Sequence, residues 1–391
     1  MKEPIKISAL VMTIWLQPQM AVSQSVANSG DADTVLDPSP FTTCRAASMG
    51  GALSTLADDL DAIYYNPAGI GGAATGNRKA DSGPVRSLYF PYASLSLNQN
   101  AAAIRSEFNA QQAQNDASAG AAIIDANSGK RQYARASIVP FGMVIGRTAI
   151  VPVIDHQLAA VPVGDATGQA KLRYRSFSGF LVGTSLSDSA NTLSLGISQA
   201  YGTIEETSGT FDYTDMVDSY QRKKILKNSR SSFTAKAANA GMSLRIPKGA
   251  HPTLSLVARN MGNTKNPAKQ AGNEALVYPE DLTIGFSVSP SIGHLGRFNF
   301  ILESGYLTQK HMAERKKIRG GMELLLGGVT SKSNLGIRAG GNDAGWSAGL
   351  HLNIGLIGLE AETHAIDVGA NNKRLIERRT SAIIYLDLGS L

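Results

Sequence analysis

Alternation with a period of two dominates the chain from about Ala170 onward. Leu193, Leu195 and Ile197 share one side of a segment whose other side carries Thr192, Ser194 and Gly196. Leu282, Ile284, Phe286 and Val288 alternate with Thr283, Gly285, Ser287 and Ser289. Trp346, Ala348, Leu350, Leu352 and Ile354 alternate with Gly345, Ser347, Gly349, His351 and Asn353. Side chains on a strand point to opposite faces in turn, so each segment predicts a strand with one apolar face. Breakers such as Lys248-Gly249, Gly341-Asn342-Asp343 and Gly369 to Asn372 separate the segments. The same pattern covers 238–246, 298–306, 335–339, 357–363 and 382–388.

The other face decides between a soluble sandwich and a barrel that spans a membrane. A sandwich exposes that face to water and decorates it with Lys and Glu. Here it is mostly Gly, Ser, Thr and Asn, with charges suited to a confined interior: Lys171, Arg173 and Arg175 between Leu172 and Tyr174, and His351, Glu360, Glu362 and His364 further on. Apolar groups outward and polar groups inward, in segments of about nine to eleven residues, predict tilted transmembrane strands. Lipid cannot satisfy an open backbone edge, so the sheet must close. Two features are atypical: aromatics make up 6% with only 2 Trp, and the chain ends on Leu391 rather than an aromatic residue.

The first residues read as a secretory signal over 1–23. Lys2 and Lys6 precede the apolar run Ile7 to Leu16, and Ala21-Val22-Ser23 offers a small-residue cleavage site. That run is too short to span a bilayer as a helix. The expected organisation is then an N-terminal segment over 24–80, which the resemblance given below implies is a plug, and a barrel over 81–391. Two stretches do not read as wall. Asn98 to Lys130 predicts a loop with one or two short helices at a rim. Tyr213 to Arg230, with Gln221-Arg222-Lys223-Lys224, predicts a charged external loop.

Composition narrows the function classes. Charged residues are 17% of the 391, against about a quarter in ordinary soluble domains. The net charge of +6 is spread along the chain, which excludes a nucleic-acid footprint. One cysteine, Cys44, excludes a disulfide framework and a multi-cysteine metal site. There is no phosphate-binding GxxxxGKS run, no HExxH and no GxSxG elbow around Ser185 or Ser304. The six histidines lack ligand spacing. The reading is therefore a non-enzyme with no cofactor and no metal.

The most specific stretch is Ala46 to Gly69, AASMGGALSTLADDLDAIYYNPAG. Met49, Leu53, Leu56, Leu60 and Ile63 recur at helical spacing, with a break expected at Asp58-Asp59, where Asp can cap a second helix. Asn66 before Pro67 leaves the helical region and Gly69 completes a turn. Gly50-Gly51 allows close backbone approach.

This segment resembles the N-terminal signature of FadL-type outer-membrane transporters and their PorV-like relatives, with a similar opening in a TraF-like conjugal-transfer branch. The matching residues are Met49-Gly50-Gly51-Ala52, Ala57-Asp58-Asp59, Ala62, Tyr64 and Asn66-Pro67-Ala68-Gly69. An initial Gly of the pattern is replaced in the Thr43-Cys44-Arg45 neighbourhood. The resemblance implies an all-β antiparallel barrel of about 14 strands with a helical plug, in the outer membrane of a Gram-negative bacterium. It implies contact with outer-membrane lipid and passive passage of a hydrophobic or amphipathic small molecule, with no nucleic acid. The PorV-like and TraF-like branches imply instead an anchor for a protein partner in secretion or conjugal transfer. A soluble periplasmic β protein is the third reading.

Overall fold

The structure is a computed structural model. It describes residues 36–37, 42–70, 86–110, 116–163, 168–188, 190–213, 215, 221, 224, 229–268, 276–293, 295–309, 313–327, 333–368 and 374–388. The expected signal over 1–23, the ends of the expected plug segment, His294, His311 and most of the basic loop lie outside the described residues.

Fourteen antiparallel staves close into one barrel, because the first pairs with the last. In chain order the first five are β1 (Arg86–Asn98), β2 (Gln132–Val139 continued by Gly142–Ile145), β3 (Thr148–Pro162), β4 (Ala170–Ser187) and β5 (Leu193–Phe211). Then come β6 (Arg230–Ala235 continued by Ala238–Arg245), β7 (Thr253–Arg259), β8 (Asp281–Val288), β9 (Gly296–Ser304) and β10 (Ile318–Leu326). The last are β11 (Ser333–Asn342), β12 (Gly345–Ile354), β13 (Ile357–Asp367) and β14 (Ile376–Asp387). Sixteen hydrogen-bonded segments make these fourteen, since β2 and β6 are each interrupted once: both halves of β2 pair with β1 and β3, and both halves of β6 pair with β5, the second half alone pairing also with β7. In β2 the interruption is at Pro140, which has no backbone donor to give.

The outward rows are the apolar ones. Ile197 is 62% exposed, Leu350 56% and Leu195 49%, and the same holds for Ile284, Phe286, Trp346 and Ile354. Inward rows are buried and polar. Exposed Leu and Ile in a continuous belt around buried Arg and Glu reverses the layout of a water-soluble domain. It is the layout of a transmembrane barrel. Among the described residues no helix is long and apolar enough to cross a membrane.

The staves β1 to β3 show no clean alternation in the sequence, and the reason is packing. Ala149, Val151 and Val153 of β3 face inward yet are apolar, because they lie against the N-terminal segment rather than an aqueous bore.

That segment fills the barrel. It consists of α1 (Cys44–Ser48), a coiled stretch, α2 (Asp59–Tyr65) and a 3₁₀ turn (Pro67–Gly69). The single helical stripe expected from Met49 to Leu56 is not a helix. Gly50 and Gly51 adopt positive φ of 71° and 89°, which ends α1 after little more than a turn. Met49, Leu53 and Ile63 are fully buried. The spacing of apolar residues reported burial on all sides, not one face of a helix.

The two ends of the barrel differ. At one end, here the inner mouth, the wall begins at β1 and finishes at β14, and the connections are short, such as 146–147, 188–192 and 355–356. The opposite, outer mouth carries the long connections. The one over 99–131 holds α3 (Gln99–Ala110) and α4 (Ala117–Ala126), the rim helices expected from the sequence. The one over 260–280 carries a two-stranded hairpin, Lys265–Asn266 with Leu276–Val277.

Candidate functional site

The plug is seated against a belt of inward-facing glycines. A Cβ on Gly340 would lie 2.3 Å from the carbonyl carbon of Met49, and one on Gly321 would lie 2.5 Å from Met49 Cβ. On Gly349 it would meet Ser48, on Gly285 Ser54, on Gly241 Asn66 and on Gly196 Pro67. Gly196 and Gly241 are cross-strand partners, as are Gly321 and Gly340. The missing side chains therefore make one recess, into which the plug backbone fits. Glycines on the polar faces of alternating segments were the sequence signal for it.

Polar side chains from the wall satisfy the irregular plug backbone. Glu303 accepts from the amides of Leu53 and Ser54. Ser198 Oγ donates to the Ile63 carbonyl at 2.6 Å, and Ser185 Oγ to the Ile70 carbonyl at 2.7 Å. Ser54 and Ser255 join hydroxyl to hydroxyl at 2.7 Å. Asn66 anchors the turn: its Nδ2 donates to Ser54 O and to Ser243 Oγ, and its Oδ1 accepts from Ala68 N. Pro67 follows at the first position of the 3₁₀ turn, where no donor is required. At Gly69 a Cβ would fall 2.0 Å from Ala57 O, so the turn folds onto the coil before α2.

An ion-pair chain holds α1. Arg45 sets Nε and Nη2 on the two oxygens of Glu323 at 3.1 and 2.9 Å, and Nη1 on Asp58 at 2.7 Å. Glu323 also takes Arg338 at 2.8 Å, Arg338 reaches Glu360 at 2.7 Å, and His351 lies 3.0 Å from Glu360. Buried charges of this kind need their partners, since removing one leaves the other stranded. Asp58 occupies the N-cap position of α2, but its side chain makes no cap bond and pairs with Arg45 instead, which corrects the capping role expected for it. The backbone of Asp59 begins α2; its side chain is outside the described residues. Burial pushes the Asp61 carboxyl up to about 7 against the pull of Arg45, 3.8 Å away. Burial likewise raises the Cys44 thiol, leaving it unreactive.

Other expected lumen residues lie on β4 and on β13. Arg173 and Arg175 both pair with Glu206, at 2.7 and 2.9 Å. Lys171 stands two residues nearer the outer mouth on the same face of β4. Glu362 receives His364 at 2.9 Å. Nearer the outer mouth, Asp37 joins Arg379 at 2.9 Å and Tyr133 at 2.9 Å. Burial works to raise the Asp37 carboxyl, but Arg379 and Arg135 outweigh it and hold it well below the usual carboxylate range. Sequence reasoning missed Arg45, Glu303, Glu323 and Arg379, each with a partner hundreds of positions away, and Arg338, whose partners Glu323 and Glu360 stand on neighbouring strands. Among the described residues no cluster of His, Cys, Asp or Glu could hold a metal.

An apolar hollow lies beside the plug. Tyr64, Phe177, Leu181, Ala200, Ile204, Ala235 and Tyr278 line it, with Asp155, Arg175 and Asn239 among its polar neighbours, and its volume is about 20 Å³. Tyr64 stands edge-on to Tyr65 and lies under the guanidinium of Arg259. The hollow adjoins the interruption of β6. There Lys236 N bonds Asn266 Oδ1, Thr234 N bonds Pro267 O, and Ala200 N bonds Ala237 O.

A barrel with an apolar outside, a charged inside and a chain segment wedged across its bore is a plugged transmembrane β-barrel. Among solved structures the chain is similar to the deltaS2S3 mutant of TodX, a monoaromatic hydrocarbon channel, at 7% identity over 90% of this chain and 99% of that one, with a TM-score of 0.47. It is similar to the monoaromatic hydrocarbon channel CymD at 8% identity, 89% and 97% coverage and a TM-score of 0.45. A Pseudomonas aeruginosa FadL homologue is similar at 10% identity, 88% and 97% coverage and a TM-score of 0.35. No protein-family model matches the chain, and neither does any curated protein.

Proposed function

We propose that the protein is a FadL-type passive channel that lets a hydrophobic or amphipathic small molecule cross the outer membrane of a Gram-negative bacterium. The observation that carries this reading is the apolar hollow walled on one side by the plug's own Tyr64 and on the other by β4, β5 and the interrupted β6. At about 20 Å³ it has room for roughly one water, far below the ~300 Å³ of a ligand pocket. A ligand entering from the outer mouth must therefore push Tyr64 and the α2 region aside, which couples binding to plug movement. Short connections on the periplasmic side and long ones outside are the rule for such barrels, which sets the outer mouth toward the exterior. Flux then runs down the gradient, with no covalent step and no cofactor.

The test is mass spectrometry of gently purified protein for a co-purifying apolar molecule, followed by uptake of that molecule into proteoliposomes. Bound apolar ligand and protein-dependent uptake support the reading. An empty protein that passes nothing, recovered with a stoichiometric protein partner, supports the anchoring role instead.

A further inference from the structure

Nine lumen arginines, from Arg45 to Arg379, sit within ion-pair distance of a carboxylate. Arg245 does not. It lies at the inner end of β6, faces inward, is 7% exposed and makes no ion pair among the described residues. The charge acting on it is the like charge of Arg297, from the start of β9, itself buried. A guanidinium at the mouth of the lumen, with a like charge beside it and no counter-charge among the described residues, is placed to take an anion.

The neighbouring strands supply further unused donors. Arg245 pairs in register with Thr253 of β7, and Thr253 with Ser287 of β8, so the three stand side by side on one level of the inner wall. Ser287 is fully buried and its hydroxyl has no hydrogen-bond partner. The same is true of Thr55 on the plug, which lies against Gly285 one inward position from Ser287. Below them the connection over 246–252 brings His251, whose Nδ1 is also buried without a partner. Burial and the two arginines hold that imidazole below its usual value, so at neutral pH it adds no charge.

We propose that the inner mouth carries an oxyanion site, in which Arg245 binds a carboxylate or phosphate group that also accepts from the Ser287 hydroxyl. A planar guanidinium offers two parallel donors to such a group. Elsewhere in the lumen Asp or Glu supplies the negative charge; here, where the described residues offer none, the bound oxyanion supplies it. The site lies beneath the plug, far from the apolar hollow, and stands or falls independently of the transport reading. Its ligand is either a free oxyanion or the charged head of an amphiphile.

The test uses the full protein, in nonionic detergent at low ionic strength, titrated calorimetrically with inorganic phosphate and separately with octanoate. Saturable binding of either is expected, weakened at least tenfold in Arg245→Gln and measurably in Ser287→Ala. Arg245→Gln in anion-free buffer is expected to melt no lower than the parent, since it removes an uncompensated charge; a merely structural arginine would give a lower midpoint. Mutual displacement or phosphate alone identifies a free-oxyanion site, and octanoate alone identifies an amphiphile's head. Absence of saturable binding for both, or binding unchanged in Arg245→Gln, overturns the proposal. Should that variant fail to fold by heat-modifiable migration, Ser287→Ala decides alone: affinity equal to the parent's overturns it.

Discussion

The glycine recess makes a quantitative demand on the wall. In Gly340→Val, the new Cβ would sit 2.3 Å from Met49 C and 2.6 Å from Gly50 N, both backbone atoms, where ordinary contact begins at 3.4 Å. The plug must retreat by about an ångström, and Val adds two further methyl groups on the same side. Overpacking of a close-fitted interior costs about 1–3 kcal/mol. At 1.4 kcal/mol per tenfold, that is roughly a five- to 150-fold shift toward the displaced plug. The wall itself need not change, because Gly340 keeps its ladder partners Gly321 and Ser347. Planar-bilayer conductance is the assay. Gly340→Val is expected to show heat-modifiable migration like the parent but a higher ion leak. Gly320→Ala, beside Gly340's partner Gly321 on β10 but with its Cβ 3.3 Å or more from any neighbour, is the control and should leave conductance at the parent level. Equal conductance in Gly340→Val and the parent, both folded, would refute a plug seated in a glycine recess.

Three further outcomes follow from the same structure. Arg45→Met takes one of two arginines from Glu323 and leaves the partly buried Asp58 without its partner, so it should lower the stability of the seated plug by about 3 kcal/mol, read as a lower midpoint of protease resistance at residues 42–70. Asp61 has its carboxyl raised in the folded state from an ordinary 3.8 to about 7, so the folded plug holds the extra proton. Its favourable contribution is full below pH 4, declines as pH rises toward 7 and is flat above. Leak should therefore increase between pH 4 and 7, and Asp61→Asn should flatten the profile. Leu350→Arg puts a charge on the exposed belt and should destabilise folding into liposomes by about 2–4 kcal/mol if the residue lies near the bilayer midplane, while folding in detergent changes less.

How much of this could be read from the chain depends on the range of the interaction. The wall was legible because alternation is local: Leu193 to Ile197 or Trp346 to Ile354 shows its two faces within a few residues. The glycines were visible on the correct face, at Gly196, Gly285 and Gly349, though their shared purpose required the plug to be in place. The plug turn was legible at Asn66-Pro67, where proline restricts its neighbour, and Asn66 indeed lies at φ −162° and ψ 100°. The plug's upper half was not, since burial on every side imitates a helical stripe. Nor were the partners of Arg45, because nothing local ties it to Glu323, 278 positions on. The interruption of β6 has no sequence marker at Lys236-Ala237; the hairpin segment takes the amides of Thr234 and Lys236, and Ala200 of β5 takes the Ala237 carbonyl.

Pinning the plug tests the transport account most directly. The Ser54 and Ser255 hydroxyls are 2.7 Å apart, one on the plug and one on β7, so Ser54→Cys with Ser255→Cys, in a Cys44→Ser background, places two thiols where a disulfide can form. Uptake of an apolar fluorescent probe into proteoliposomes is then measured before and after reduction. The account predicts that the oxidised protein passes none of the probe, and that reduction restores flux. Equal flux in the oxidised and reduced forms would contradict it, because the molecule would then be crossing without moving the plug.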